Sequence, residues 1–347
     1  MYERFGLFIG GVWAKPLGGG HAPVISPVSE DVLGECPVAS SADTDAAIAS
    51  AEAGFKAWRT TAAFARADAI HRIADAMVRR TDEAARMIST ETGKPIAQAQ
   101  REWGLSTDQF RWYAEEARRI YGRIVESRVP NGRFEIHHEP VGVVAAFTAW
   151  NFPGFLIARK VAPALAAGCS VIVRPSSQTP GVAMVMVDCC RAGNLPDGAI
   201  NLVVGPTDAT YKPLMASKSV RKVSLTGSTR VGQQMIRDAA DTMKKVSMEL
   251  GGNAPVIVYG DADLEAALNV AVPTKFANAG QVCVTGDRFY IHESVHDRFV
   301  SGFVERAKAI KLGDGLDPTV SMGPLINGGR VKEMDGIVSA AVKAGAK

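Results

Sequence analysis

Val141-Gly142-Val143-Val144-Ala145-Ala146-Phe147-Thr148, an amphipathic run over 155–167 closed by Gly168, and then Ser170-Val171-Ile172-Val173-Arg174 together decide the fold. The two short runs are apolar and rich in β-branched residues, as strands buried on both faces are, and the helix between them is long enough to return the chain for a parallel pairing. The pattern repeats downstream, with a helix over 181–192 closed by Gly193, a strand over 200–204, a helix near 208–217, a strand over 222–226, a helix near 230–240 and a strand over 245–250. This alternation predicts an α/β fold built on a doubly wound parallel sheet. Its ligands are expected beyond the carboxyl ends of the strands.

Upstream, residues 1–40 are rich in Gly, Pro and β-branched residues and read as short strands and turns that need something else to pack on. Three- and four-residue apolar spacing predicts helices over 43–58, 62–90 and 96–121. Pro130-Asn131-Gly132 between β-rich runs over 123–129 and 133–139 predicts a hairpin, an arm at 122–140. Downstream, a second α/β unit is expected, with strands over 255–259 and 288–292 and helices over 263–277, 294–310 and 330–346. No strand follows the last helix, so its apolar face lacks a partner and the sequence reads as cut short. Two domains follow, 1–250 and 251–347.

The chain has 347 residues, 47% of them hydrophobic, which is enough for two cores. The 39 basic and 36 acidic residues are interspersed and net only +3, so nothing points to nucleic acid as a partner. No apolar stretch approaches the ~18 residues of a membrane span. The five cysteines are odd in number and lack C-x-x-C spacing, which reads as a reducing, cytoplasmic setting.

Two glycine-flanked stretches stand out. Asn278-Ala279-Gly280-Gln281-Val282-Cys283 puts a thiol in a loop at a helix end, where backbone N–H groups could stabilise a thiolate; the other four cysteines lie in apolar runs, as inert core thiols do. Met248-Glu249-Leu250-Gly251-Gly252 puts a carboxylate at a strand end, either as a catalytic base or as an ordinary solvated acid. Trp150-Asn151-Phe152-Pro153 offers a side-chain amide at the same sheet edge, as an oxyanion donor or a simple turn cap. Thr226-Gly227-Ser228-Thr229-Arg230-Val231-Gly232 is a strand-to-helix turn suited to a pyrophosphate, though Gln233-Gln234 stand where a P-loop needs Lys-Ser/Thr. His292-Glu293-Ser294-Val295-His296 matches the zinc-peptidase pattern, but its histidines are expected to straddle a strand–helix boundary, so no metal site is assigned.

Ala149-Trp150-Asn151-Phe152-Pro153, Arg174-Pro175-Ser176-Ser177-Gln178-Thr179-Pro180, Leu225-Thr226-Gly227-Ser228-Thr229, Glu249-Leu250-Gly251-Gly252 and Gly280-Gln281-Val282-Cys283 together resemble the signatures of the aldehyde dehydrogenase superfamily, in the same order. Trp112-Tyr113-Ala114-Glu115-Glu116 and Ile157-Ala158-Arg159-Lys160 are similar to the succinate-semialdehyde dehydrogenase branch. The resemblance implies a cofactor-binding domain over 1–250 and the first part of a catalytic domain over 251–347. It implies that Cys283 attacks the aldehyde, that Asn151 and the Cys283 N–H hold the oxyanion, and that Glu249 activates the water that hydrolyses the thioester. Thr148, Trp150, Arg174, Ser177, Gly227, Ser228 and Leu250 are implied to hold the cofactor. Ser177 stands where NAD-preferring members often carry Glu, which favours NADP over NAD.

Arg159 matches an arginine that grips the substrate's distal carboxylate, while Ala277 stands where that branch has a second one. Succinate semialdehyde is therefore expected beside 2-oxoglutarate semialdehyde or another aldehyde. Thr285 replaces the branch's redox-partner cysteine, so no local disulfide switch is expected at Cys283. The family continues into a Glu-x-Phe-Gly-Pro motif, the rest of the catalytic domain and a tail that pairs with a neighbouring subunit. A homo-oligomer, dimer or tetramer, is expected at full length, and the 347-residue chain is expected to be a poorly active form or a fragment. The alternatives are a thiol hydrolase using Cys283 and Glu249, and an inactive cofactor-binding relic.

Overall fold

The computed structural model describes residues 1–18 and 20–346. In chain order its elements are β1 (Leu7–Ile9), β2 (Val12–Ala14), β3 (His21–Ile25), β4 (Val32–Pro37), α1 (Ser41–Trp58), α2 (Ala63–Arg79), α3 (Thr81–Thr92) and α4 (Ile96–Ala117). The hairpin strands β5 (Arg123–Glu126) and β6 (Arg133–Ile136) come next. Then follow β7 (Val143–Phe147), α5 (Pro153–Ala166), β8 (Ser170–Arg174), α6 (Pro180–Cys190), β9 (Ile200–Leu202), α7 (Thr207–Ala216), β10 (Val220–Thr226), α8 (Thr229–Ala240) and β11 (Lys245–Glu249). The last are β12 (Ala254–Val258), α9 (Leu264–Phe276), β13 (Gly286–Ile291), α10 (His296–Lys308) and α11 (Gly328–Lys343).

The chain divides into two compact units, one of Met1–Val24, Gly34–Ala84 and Arg101–Leu250, the other of Ile25–Leu33, Ala85–Gln100 and Gly251–Lys347. A single cut after residue 250 does not provide for the two early segments of the second unit. Local packing puts them there: the Ile96 amide donates to the Gly315 carbonyl at 2.8 Å, and a Cβ on Gly323 would lie 1.8 Å from the Gly93 oxygen.

In the first unit the strand order is β11-β10-β7-β8-β9-β1-β2. The five strands from β7 to β11 pair in parallel, as the alternation predicts. The sheet is mixed, because β1 and β2 add an antiparallel edge beside β9. Its core joins Val143, Ala145, Phe147, Ile172, Val223 and Leu225 to Ala47, Ile48 and Ala51 of α1, Leu214 and Met215 of α7 and Met235 and Ala239 of α8. Each large aliphatic buried there contributes roughly 1.5–3 kcal/mol. Helix α1 starts at a capping box between Ser40 and Asp43. It runs so close to the 198–199 backbone that a Cβ at Gly54 would lie 2.2 Å from the Gly198 carbonyl carbon.

The helix expected over 62–90 is broken at Arg80. The Met77 carbonyl there takes the Trp103 indole N–H at 2.8 Å and the Arg80 amide at 3.1 Å, and the Arg80 side chain pairs with Glu83 and Asp188. The hairpin forms with Arg123 opposite Ile136 and Asn131 at φ +64°, and Ile124, Val125, Val129 and Phe134 are exposed on it.

In the second unit β12 and β13 pair in parallel, and α9 and α10 pack on them around Phe276, Phe289, Phe299 and Phe303. Helix α11 buries none of its residues and leaves Val331, Met334, Ile337, Val338 and Val342 exposed. Among the described residues no helix is long and apolar enough to cross a membrane.

Candidate active site

The registers of the first unit align its strand ends. Phe147 lies beside both Arg174 and Leu225, and Thr226 lies beside Glu249, so the residues that follow β7, β8, β10 and β11 emerge along one edge. Arg174 and Glu249 end β8 and β11 at that edge, and Thr148, Trp150, Asn151, Ser177, Gly227, Ser228 and Leu250 lie in the segments that follow β7, β8, β10 and β11. Thr148 is buried, and among the described residues its hydroxyl has no hydrogen-bond partner.

Gly227 donates its amide to the Glu249 carbonyl at 3.0 Å, which joins the two strand-end turns. Ser228 caps α8 by accepting from the Val231 amide, and Ser228, Thr229 and Arg230 are exposed around that helix start. A helix N-terminus with exposed flanking residues suits a pyrophosphate. Gly232 leaves room for Leu250, whose Cδ2 would lie 2.6 Å from a Cβ at that position. Tyr211 of α7 donates to Asp238 of α8 at 2.5 Å and meets Phe147 edge-on, which braces the two helices beside the turn.

Arg174 is largely taken up by the fold. Its Nη2 donates to the Gly205 carbonyl at 2.9 Å and its Nε to Thr210 Oγ1 at 3.4 Å, tying the end of β8 to the start of α7. Ser177, in the turn after β8, is exposed. The hydroxyl there fits a ribose or its 2′-phosphate, where a carboxylate would repel the phosphate.

Helix α5 begins two residues after Asn151. Arg159 on α5 is exposed, with its guanidinium stacked 5.3 Å from the Phe155 ring centroid, which leaves its edge free for a carboxylate. The next residue, Lys160, is 6% exposed, and its Nζ donates to Ser224 Oγ of β10 at 3.1 Å. Burial pushes its pKa down to about 8; Glu249 acts against that shift, while Arg159 and Lys222 add to it. Sequence reasoning missed Lys160 as a site residue, because a lysine after an arginine on an amphipathic helix reads as solvated. The packing of α5 on β7 and β8, with the Lys160 ammonium reaching Ser224 of β10, makes it a buried cation in the field of Glu249.

In the second unit, α9 ends in a turn of unusual backbone. Asn278, Ala279 and Gly280 have φ of +48°, +56° and +75°, a left-handed run that only the glycine adopts without strain. The turn is held at several points. The Asn278 amide donates to Gln98, Gln281 Nε2 donates to the Asn278 carbonyl, and Gln281 Oε1 accepts from the Ile326 amide. Cys283 follows, exposed, whereas Cys36, Cys169, Cys189 and Cys190 are buried. Burial raises the pKa values of Cys169, Cys189 and Cys190, so these thiols stay protonated and inert. Gly252 admits the Cys283 carbonyl, which would lie 2.9 Å from a Cβ there. Thr285 is buried and donates to the Thr274 carbonyl at 3.0 Å.

The two histidines of the zinc-peptidase pattern lie on different elements. His292 follows β13 and caps a short turn through Ser294, and His296 opens α10 and pairs with Asp297.

Comparison with known proteins shows the family of the chain. The family model described as Aldehyde dehydrogenase family matches residues 13–347. A probable succinate-semialdehyde dehydrogenase (NADP(+)) of Sinorhizobium fredii is 42% identical over 325 residues, which cover 93% of this chain and 66% of that protein. A 3-sulfolactaldehyde dehydrogenase of Pseudomonas putida is 40% identical over 340 residues, covering 98% and 70%. The crystal structure of succinate-semialdehyde dehydrogenase from Burkholderia pseudomallei superposes with a TM-score of 0.97 at 38% identity, covering 99% of this chain and 71% of that one. The chain thus spans about two thirds of the length of the curated relatives it matches. It belongs to the aldehyde dehydrogenase family.

Proposed function

We propose that the protein oxidises a small aldehyde with a distal anionic group to the acid, through a thioester on Cys283, with NADP or NAD as hydride acceptor. The observation that carries the reading is the exposure of Cys283, alone among the five cysteines, after a strained turn in a chain of this family. Cys283 adds as thiolate to the aldehyde carbon, and the Asn151 amide and the Cys283 N–H receive the oxyanion that forms. When bound, the cofactor supplies the hydride acceptor that turns this adduct into a thioester. Glu249 then takes a proton from the water that opens the thioester, which frees the acid and restores the thiolate.

Gly227 and Ser228 at the α8 N-terminus would hold the pyrophosphate, with Thr148, Trp150, Arg174, Ser177 and Leu250 around the rest of the dinucleotide. Arg159 would take the distal anion. Two relatives support that choice by name, one as a succinate-semialdehyde and one as a 3-sulfolactaldehyde dehydrogenase. The exposed hydroxyl of Ser177 and the NADP in the first relative's name favour NADP. The exposed apolar hairpin β5–β6 supports a homo-oligomer.

The test is a panel of semialdehydes against NAD and NADP, followed at the reduced-nicotinamide absorbance, with Cys283→Ala as the blank. Absorbance that rises only with the thiol present is expected. No absorbance change with any aldehyde, together with Cys283-dependent hydrolysis of an ester or thioester, would favour a thiol hydrolase and overturn the reading.

A further inference from the structure

Helix α5 starts without a cap of its own. Its N-cap residue is Phe152, whose side chain accepts nothing, and its first residue is Pro153, which has no N–H. The next two amides, Gly154 and Phe155, are the ones an N-cap side chain would ordinarily satisfy. Both donate to one carboxylate oxygen of Glu102, at 2.8 and 3.3 Å, from the middle of α4. Glu102 is 2% exposed, so water cannot replace it. Gly154 allows the approach: a Cβ there would lie 3.3 Å from Ser106 Oγ and 3.4 Å from Glu102 Oε1. Helix α4 is itself pinned to α2 through the Trp103 indole N–H on the Met77 carbonyl.

We propose that Glu102 is a positioning residue for Asn151: its carboxylate caps α5 in place of an N-cap side chain and so fixes the turn that presents the Asn151 amide. Asn151 lies two residues before the capped helix, with Phe152 at φ −136° and ψ 66° between them. That single non-helical link transmits any tilt or fraying of the first turn to the amide. A displacement of about 1 Å in a catalytic group can lower a rate roughly a hundredfold. Arg159 and Lys160 lie further along α5, beyond the frayed turn, so substrate grip is spared. A negative charge at this end of the helix also complements its macrodipole.

The inference rests on the proposed role of Asn151. Its test is a double-mutant cycle in the protein, using Glu102→Ala, Glu102→Gln, Asn151→Ala and the combinations. Glu102→Ala should lower kcat by roughly ten- to a hundredfold with KM within about threefold, and Glu102→Gln, whose amide oxygen accepts the same two N–H groups, should recover most of the loss. In the Asn151→Ala background, Glu102→Ala should cost less than about twofold. Equal losses in both backgrounds, or no difference between the Ala and Gln variants, overturn the proposal. If Glu102→Ala does not fold, Glu102→Asp, which falls short of both amides, takes its place. A wild-type protein that turns over no aldehyde overturns the functional reading alone; amide exchange over 152–157 then decides the cap, with faster exchange in the Ala than the Gln variant supporting it and equal exchange overturning it.

Discussion

Replacing Lys160 by Met should stabilise the protein near neutral pH and destabilise it in alkali. Lys160 carries an ordinary pKa of 10.5 when exposed and about 8 in the fold, a drop whose first cause is burial. Between those pH values the unfolded chain holds more protons than the folded one, so stability rises with pH across the window. Below pH 8 the lysine is charged in both states and the full desolvation penalty is present, about 3 kcal/mol from the size of the shift. Methionine removes that penalty, fills similar volume and leaves the buried Ser224 hydroxyl without its donor, a loss of about 1–2 kcal/mol. The balance is a gain of roughly 1–2 kcal/mol at pH 7 that becomes a loss of similar size at pH 10.5. Urea unfolding of both proteins at half-unit steps from pH 7 to 10.5 measures the difference, and groups common to both cancel. A variant less stable than the wild type at pH 7, or a difference that does not move with pH, refutes the reasoning.

Glu249→Gln should leave acylation intact and stall hydrolysis, which gives a burst of one reduced nicotinamide per Cys283 and a steady rate lower by about 10²–10⁴; a steady rate unchanged by the substitution removes Glu249 as the base. Ser177→Glu should raise KM for NADP relative to NAD by about tenfold or more through repulsion of the 2′-phosphate, and equal effects on both cofactors would place the adenosine elsewhere. Ala279→Gly should stabilise the protein by about 0.5–1 kcal/mol, because relief of the left-handed strain exceeds the added freedom of the unfolded chain; a lower urea midpoint contradicts the strain.

How much of this was legible in one dimension depends on the range of the interaction involved. Strand and helix order from β7 to β11 follows from local periodicity, and the motifs around Asn151, Glu249 and Cys283 are each contiguous, so their residues could be named before any contact was known. The Asn131-Gly132 hairpin is equally local. The break at Arg80 was not legible, because it depends on Trp103, more than twenty residues away, reaching the Met77 carbonyl.

The same distinction separates residue identity from residue role. Alternation of short apolar runs with helices determined the α/β class, since each run must bury both faces, and glycine-flanked polar residues at run ends determined the candidate chemistry. Only the tertiary structure decided that Arg174 spends its fork on the Gly205 carbonyl and Thr210. It also turned Lys160 into a buried cation and Glu102 into the cap of a helix to which it does not belong. A charged side chain's energy depends on what surrounds it in space, and a helical lysine or glutamate has the same one-dimensional signature whether it faces water or the core.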